Sequence, residues 1–341
     1  MTAPNAMPER PKSGPGRTLD PAKKTMRATA AFARDRRARS WWVVLSAIVL
    51  LGAAFAGTLP FWGWPFRAVS AVLAALLVVR LFVIYHDHQH RAILAKSRLA
   101  EVLMKGVGVV LLAPSSVWRH SHNEHHAHNS KLHGSDPGSF PTMTVERFER
   151  SGAFERLRYR ITRHPMTILC GYLTSFLLAM CAIPFAREPK RHWDGLLAVL
   201  LHLALIVAAV VSIGWIGAWL TVVLPFALAG CIGSYLFYAQ HNFPAVVLKD
   251  EDGWTHEGAA LESSSFLEMP AILHWFTANI GYHHIHHLNA RIPFYRLPEA
   301  FRKIPELQTA KRTNLSPREI ARCLRLKVWS TTEGRLVGFR R

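Results

Sequence analysis

Cysteine is nearly absent. The chain of 341 residues has four, Cys170, Cys181, Cys231 and Cys323, with no C-x-x-C pair among them. That excludes a disulfide scaffold, and it excludes a built-in rubredoxin-like or iron–sulfur centre, which needs clustered thiols. Acidic residues are also few: 22 Asp and Glu stand against 41 Lys and Arg, for a formal net charge of +19. Charged residues make up only 18% of the chain while 50% is hydrophobic, which excludes disorder as the dominant state. The length suits one large domain or two modest ones. A basic excess often marks a nucleic-acid binder. Here the basic residues lie outside long apolar runs, as in a membrane protein that keeps Lys and Arg on the cytoplasmic side, so no nucleic-acid partner is expected.

Long apolar runs are what the chain has in plenty. A bilayer core of about 30 Å needs roughly 20 apolar residues as helix. Trp41–Leu59, Val69–Tyr85, Gly195–Ser212 and Trp215–Tyr238 are four such runs, and Arg80, near the end of the second, is expected to snorkel. Val102–Ala113 is too short to span, whereas Met166–Phe185 is long enough. Loop 59–65 and the link 213–217 carry no charge, while residues 1–40 hold ten Lys/Arg against three acids and residues 288–341 hold 13 against four. Loop 186–194 is basic as well, so both termini and this loop are expected in the cytoplasm. Met166–Phe185 should then enter and return, with Pro165, Gly171 and Pro184 suiting a re-entrant segment. The expectation is an all-α integral membrane protein. Four transmembrane helices (about 41–59, 69–85, 195–212 and 215–238) form two hairpins, joined by re-entrant or interfacial helices and a cytoplasmic helical cap that carries the histidines. Residues 1–40 are expected to be a basic, disordered cytoplasmic tail, 41–310 the membrane domain, and 311–341 a basic C-terminal tail. Arg36-Arg37 before an apolar run resembles a twin-arginine export signal, but the preceding segment is too long for one, and a retained first helix is the better reading.

Nineteen histidines stand out, and many fall in three clusters. The first is His86-Asp87-His88-Gln89-His90, the second His122-Asn123-Glu124-His125-His126, the third His283-His284-Ile285-His286-His287. On a helix, residues i, i+3 and i+4 share a face. His86 and His90 therefore point one way and His88 the other. His122, His125 and His126 share a face, as do His283, His286 and His287. That supplies eight imidazoles aimed at one place. Neutral imidazole binds iron, zinc and copper. Zinc takes about four ligands, so two metals are the natural count. A zinc protease does not fit, because neither H-E-x-x-H nor H-x-x-E-H occurs. A metal transporter would place ionisable residues within the spans rather than at their ends. His241, just beyond the fourth run, lands on the same side by parity and is a candidate ninth ligand. Its neighbours Gln240 and Asn242 are placed to hold a metal-bound water or orient a ligand, and Asp87, Glu124 and Asp252 are candidate supporting carboxylates. His88, His120, His128, His133 and His284 lie off the ligand faces. His164, His192, His202, His256 and His274 are expected to be interfacial or structural.

The spacing resembles the membrane fatty acid desaturase family, whose three boxes are H-x(3–4)-H, H-x(2–3)-H-H and [HQ]-x(2–3)-H-H. His86-x3-His90, His122-x2-His125-His126 and His283-x2-His286-His287 fit them in order. The flanking Trp118-Arg119-His120-Ser121-His122 and HHLNARIPFYRLPEA are similar to bacterial members near the acyl-lipid Δ12/ω-3 branch, and the likeness spans about residues 40–310. It implies two iron ions, dioxygen as co-substrate, a fatty acyl substrate, and His241 as the family's extra histidine. It also implies a bacterial inner-membrane location with the boxes cytoplasmic. No H-P-G-G segment of a fused cytochrome b5 occurs, so the resemblance implies a separate ferredoxin-like or cytochrome b5-like electron donor. The first box reads H-D-H-Q-H rather than the commoner H-D-C-G-H. The family also contains hydroxylases with the same boxes, so a di-iron lipid or alkane hydroxylase is the alternative.

Overall fold

A computed structural model describes residues 21–132 and 140–339, and the chain is mostly helical. The expectation of disorder for residues 1–20, and His133, lie outside the described residues. The second half of the basic N-terminal segment is folded. Helix α1 (Pro21–Thr29) leads into α2 (Arg37–Gly57), and the link between them is tied down. Asp35 accepts hydrogen bonds from the Leu94 N–H (2.9 Å) and Ser40 Oγ (2.5 Å), and Asn289 Nδ2 donates to Thr29 Oγ1 (3.0 Å).

Three helices among the described residues are long and apolar enough to cross a membrane: α2, α3 (Trp64–Gln89) and a 47-residue stretch, Trp193–Ala239. The turn between α2 and α3 is closed by Arg67 Nε donating to Thr58 O (2.8 Å). At 1.5 Å per residue α3 is about 39 Å long, roughly two turns more than a bilayer core needs. Those extra turns carry the first histidines. The 47-residue stretch comprises α10 (Trp193–Ala218), a π turn (Trp219–Val223) and α11 (Leu224–Ala239). It is not straight. Gly214 has φ 72° and ψ 174°, a conformation that side chains resist. His202, twelve residues before it, and Phe226, twelve after, bring their rings within 4.8 Å. The chain therefore doubles back at Gly214. Thr58 at the end of α2 meets Thr221 Oγ1 at 2.7 Å, so the α2–α3 turn and the Gly214 turn lie close together.

Between α3 and α10 the chain forms α4 (Arg98–Val110), capped by Ser97, and α5 (Ser115–His128), bent 92° from it. Next come α6 (Val145–Arg150), α7 (Ala153–Thr162) and α8 (Pro165–Leu169), then a π-helix Tyr172–Ala182 continuing into α9 (Ile183–Arg187). This apolar segment packs between α10 and α11. Gly171 and Gly230 touch backbone to backbone, and a Cβ on either would collide with the other helix. Tyr172 Oη bonds His202 (2.6 Å), one-third of the way into α10, whereas Cys181 further on lies against Gly195 at its start.

The remainder is α12 (His256–Glu262), β1 (Phe266–Glu268), α13 (Ala271–Phe276), α14 (His283–Leu288), α15 (Leu297–Lys303), β2 (Arg312–Asn314), α16 (Pro317–Arg325), β3 (Val328–Ser330) and β4 (Arg335–Val337). Two small sheets correct the expectation of an all-α chain: β1 pairs β2 in parallel and β3 pairs β4 antiparallel. The segment 311–341 is no loose tail over 312–337. Cys323, Trp329 and Leu336 form an apolar cluster with Tyr235, Ala239 and Phe243 around the end of α11. Arg80 does not snorkel. It is buried, its guanidinium 4.1 Å from the Trp275 ring and donating to the Trp275 carbonyl.

Candidate metal centre

The nine histidines singled out as ligands come from four places, and the structure brings all nine together. His86 and His90 end α3. His122, His125 and His126 sit in the last half of α5. His241 follows α11, and His283, His286 and His287 lie on α14. They form two groups: His86, His90, His122, His126 and His286 in one, His125, His241, His283 and His287 in the other. Within each group the ligand atoms all lie within 4.8 Å of one another. Box two is therefore split, with His125 leaving its neighbours, and box three is split with His286 crossing over. On a helix i and i+4 are about 40° apart while i+3 and i+4 are about 100° apart, so the i, i+4 pair stays together and the i+3 residue faces elsewhere.

In the first group Nε2 of His122 lies 2.8 Å from Nε2 of His86 and 3.1 Å from that of His126, which is 3.1 Å from Nε2 of His286. In the second, Nε2 of His241 lies 2.8 Å from that of His283 and 3.1 Å from that of His125, with His287 3.1 Å from His283. A neutral ring offers only one N–H and one lone pair. Nitrogens converging three or four at a time cannot satisfy one another by hydrogen bonds, whereas a cation among them satisfies every lone pair at once. Among the described residues the buried Nε2 of His90 has no hydrogen-bond partner, and neither do the Nδ1 atoms of His86, His122, His283 and His286. Burial, and then the neighbouring imidazoles, hold His283, His286 and His287 well below the usual histidine range, so these rings are neutral and their lone pairs free to ligate. The all-imidazole donor set fits two transition-metal ions.

The surroundings orient the rings. Buried Asp87 accepts from the Phe294 N–H (2.6 Å) and lies 3.5 Å from Nδ1 of His86. Trp118 stacks on His122 at 4.8 Å, and His241 Nδ1 is 3.3 Å from the Ser263 carbonyl. Gln240 and Asn242 do not face the clusters. Gln240 donates to Ile280 O (2.8 Å) and Asn242 to Cys323 O (2.9 Å), so they pin the loop that carries His241. Arg163, fully buried and unremarked in the sequence, bonds Asn242 and Tyr238 from beneath that loop. Glu124 pairs with His128 (3.3 Å), and Asp252 is exposed in a turn. Neither supports a cluster histidine. His88 points to Glu101 (4.0 Å), His284 to the Leu307 carbonyl (3.1 Å), and His120 to solvent. Burial lowers His284 to about 4, so it too is neutral. His164 caps α8, His192 bonds Ser116 (2.9 Å), and His202 bonds Tyr172.

An apolar slot of about 30 Å³ runs between α3, the π-helix and α11, lined by Val78, Phe82, Leu112, Phe176, Phe226 and Gly233. Phe82 packs edge-on against Trp118 (4.9 Å), so the slot's wall touches the ring that stacks on His122.

A family model described as fatty acid desaturase matches residues 62–318. The chain is 29% identical to a fatty acid desaturase of Bacillus subtilis (strain 168) over 331 residues, which is 93% of this chain and 91% of that one. It is 25% identical to the sn-1 oleoyl-lipid 12-desaturase of Synechocystis sp. (strain ATCC 27184 / PCC 6803 / Kazusa), covering 80% and 78% of the two chains. It is 27% identical to a chloroplastic omega-6 fatty acid desaturase of Arabidopsis thaliana, covering 75% of this chain and 54% of that one.

Proposed function

Because the chain belongs to the fatty acid desaturase family and is an oxidoreductase of that kind, we propose that it is an O2-dependent di-iron acyl desaturase acting on a lipid-linked or carrier-linked chain. The observation that carries this reading is the pair of imidazole clusters, nine nitrogen donors brought together from the end of α3, from α5, from just beyond α11 and from α14. His86, His90, His122, His126 and His286 would hold one iron, and His125, His241, His283 and His287 the other. When bound, the irons would use dioxygen, two electrons from a separate ferredoxin-like or cytochrome b5-like donor and two protons to supply the oxidising power that takes one hydrogen from each of two adjacent methylenes, leaving a double bond and two waters. The protein's share is to position and to exclude. The Ser263 carbonyl holds the His241 ring by its far nitrogen, and Asp87, 3.5 Å from Nδ1 of His86, is placed to do the same for that ring once it closes to hydrogen-bonding distance. The slot at Phe82 and Phe176 is apolar, as the wall of an acyl path has to be, but its about 30 Å³ has room for about one water-sized group and does not itself hold a chain. The oleoyl-lipid relatives favour a lipid-linked substrate.

In the membrane, α2, α3, α10 and α11 would each make one pass, because a 47-residue stretch reversed at Gly214 has length for two. His241 lies beside His125, which puts the end of α11 and the end of α5 on one side. The basic loops argue that this side is the cytoplasm, and the inner membrane of a bacterium is the proposed location. Expression in a host that makes no polyunsaturated lipid, followed by fatty acid profiling of its membrane, tests the function. New diunsaturated chains that disappear with His286→Ala are the expected result. An unchanged profile from protein that holds iron would overturn it.

A further inference from the structure

Arg80 is a charge in an apolar helix, faced among the described residues by the Trp275 and Phe294 rings rather than by an anion. Its side chain is over nine-tenths buried, one amino group donates to the Trp275 carbonyl, and its Nε has no hydrogen-bond partner. Among the described residues no carboxylate forms an ion pair with it. Asp35, on the link before α2, is taken up by Leu94 N, Ser40 and Tyr295. A buried guanidinium left in this state is costly unless an anion completes its five donors.

The space beside it has the shape of a lipid. A groove of about 560 Å³ opens between α2 and α13, with Arg80 and Trp275 on one wall. The other wall is α2, through Arg39, Trp42, Ser46 and Leu50, residues spaced i, i+3, i+7 and i+11 on one helix face. The stripe descends from a cation through a hydroxyl to apolar surface, with Trp42 72% and Leu50 41% exposed. Val78 and Phe82, which line the small apolar slot, lie two residues either side of Arg80, about 200° round α3. The groove and the slot are on opposite faces of that helix.

We propose that this groove binds a membrane glycerophospholipid, its phosphodiester on Arg80 and Arg39 and its chains along Trp42 and Leu50, as a resident lipid distinct from the substrate. Guanidinium groups match phosphate oxygens geometrically, and the groove is far larger than a free phosphate ion needs. The site also reaches the metal centre. Phe294 lines the groove, and its N–H holds Asp87, the carboxylate beside His86. A lipid seated there braces the wall behind the first cluster.

Delipidated full-length protein in mild detergent tests this by its melting midpoint, a readout independent of desaturation. Dioleoylphosphatidylglycerol should raise the midpoint by several degrees, while dioleoylglycerol, sodium phosphate and oleate should not. Arg80→Gln and Ser46→Trp should each weaken the phospholipid's apparent affinity at least about tenfold, 1.4 kcal/mol. Ser46→Trp fills the groove from the opposite wall and leaves Arg80 in place, so it decides the matter even where Arg80→Gln does not fold. An equal shift with dioleoylglycerol would remove the phosphate from the argument. An equal shift with phosphate would make this a free-anion site, and one with oleate a fatty-acid site. Wild-type affinity in Ser46→Trp would place the lipid elsewhere. Any of these overturns the proposal.

Discussion

The Nε2 atoms of His125 and His241 lie 3.1 Å apart across 116 residues of chain. No local pattern ties them together. The contact exists because α5 and the loop after α11 end at the same place, and it makes His241 part of the second cluster rather than a bystander.

His241→Ala should therefore lower bound iron from about two per chain towards one and abolish product, and His125→Ala should do the same. His86→Ala should empty the first cluster instead, and His287→Ala the second. Losses of merely supporting groups at metal sites typically cost about 10–100-fold, so losing a ligand should cost more. Metal analysis of purified protein beside product assays checks this. A fully active His241→Ala would reduce the site to eight histidines.

Histidines turned from the clusters should behave differently. His88→Ala should keep substantial activity, because its ring faces Glu101. His284→Ala should also retain iron, but at a stability cost of about 1–3 kcal/mol, since the buried Leu307 carbonyl loses its partner. Thermal melts and iron content measured together separate the two effects.

Asp87 gives a graded test. Asp87→Asn keeps an oxygen for the Phe294 N–H and should bind iron more weakly than wild type yet better than Asp87→Ala. About 10–100-fold weaker iron binding is expected for the alanine variant. Equal affinities in all three proteins would show that this carboxylate does not support His86.

Topology can be read with accessible tags. A tag in loop 59–65 should be external and tags in loop 186–194 and at residue 341 cytoplasmic, from the charge asymmetry of the loops. An external 186–194 tag would mean that the π-helical segment crosses, and four passes would have to be given up.

Lys327 should leave a mark on stability against pH. Burial, with the nearby Arg163 cation, pushes its ammonium down to about 8 from an ordinary 10.5. Between those values the unfolded chain binds more protons than the folded one, so stability should climb as pH rises through that window. Melting midpoints from pH 7.5 to 9.5 should rise in wild type and flatten in Lys327→Met. Parallel curves would assign the rise to another group.

Much of this protein is written in its sequence. Apolar runs with no charge but Arg80 fixed the long helices, because a bilayer-length helix needs about 20 such residues and little else. The 100° turn per residue fixed which histidines share a face, and so separated His88 and His284 from the nine that converge. Sequence periodicity was silent on Arg80, which was expected to reach water and instead lies under Trp275. It was equally silent on residues 312–337, whose polar, basic text conceals the few apolar side chains that dock on α11.

The division of nine imidazoles into five and four belongs to the tertiary structure. An i, i+3, i+4 box says that one ring will diverge from the other two by about 60–100°. It does not say what that ring will meet, because the neighbour is supplied by another helix. His125 finds His241 and His283, and His286 finds His126, only once α5, α11 and α14 bring their ends together. Local geometry is a property of the sequence within one helix. Which cluster a ring joins depends on how separate helices are packed, and that is decided by burial along their whole length.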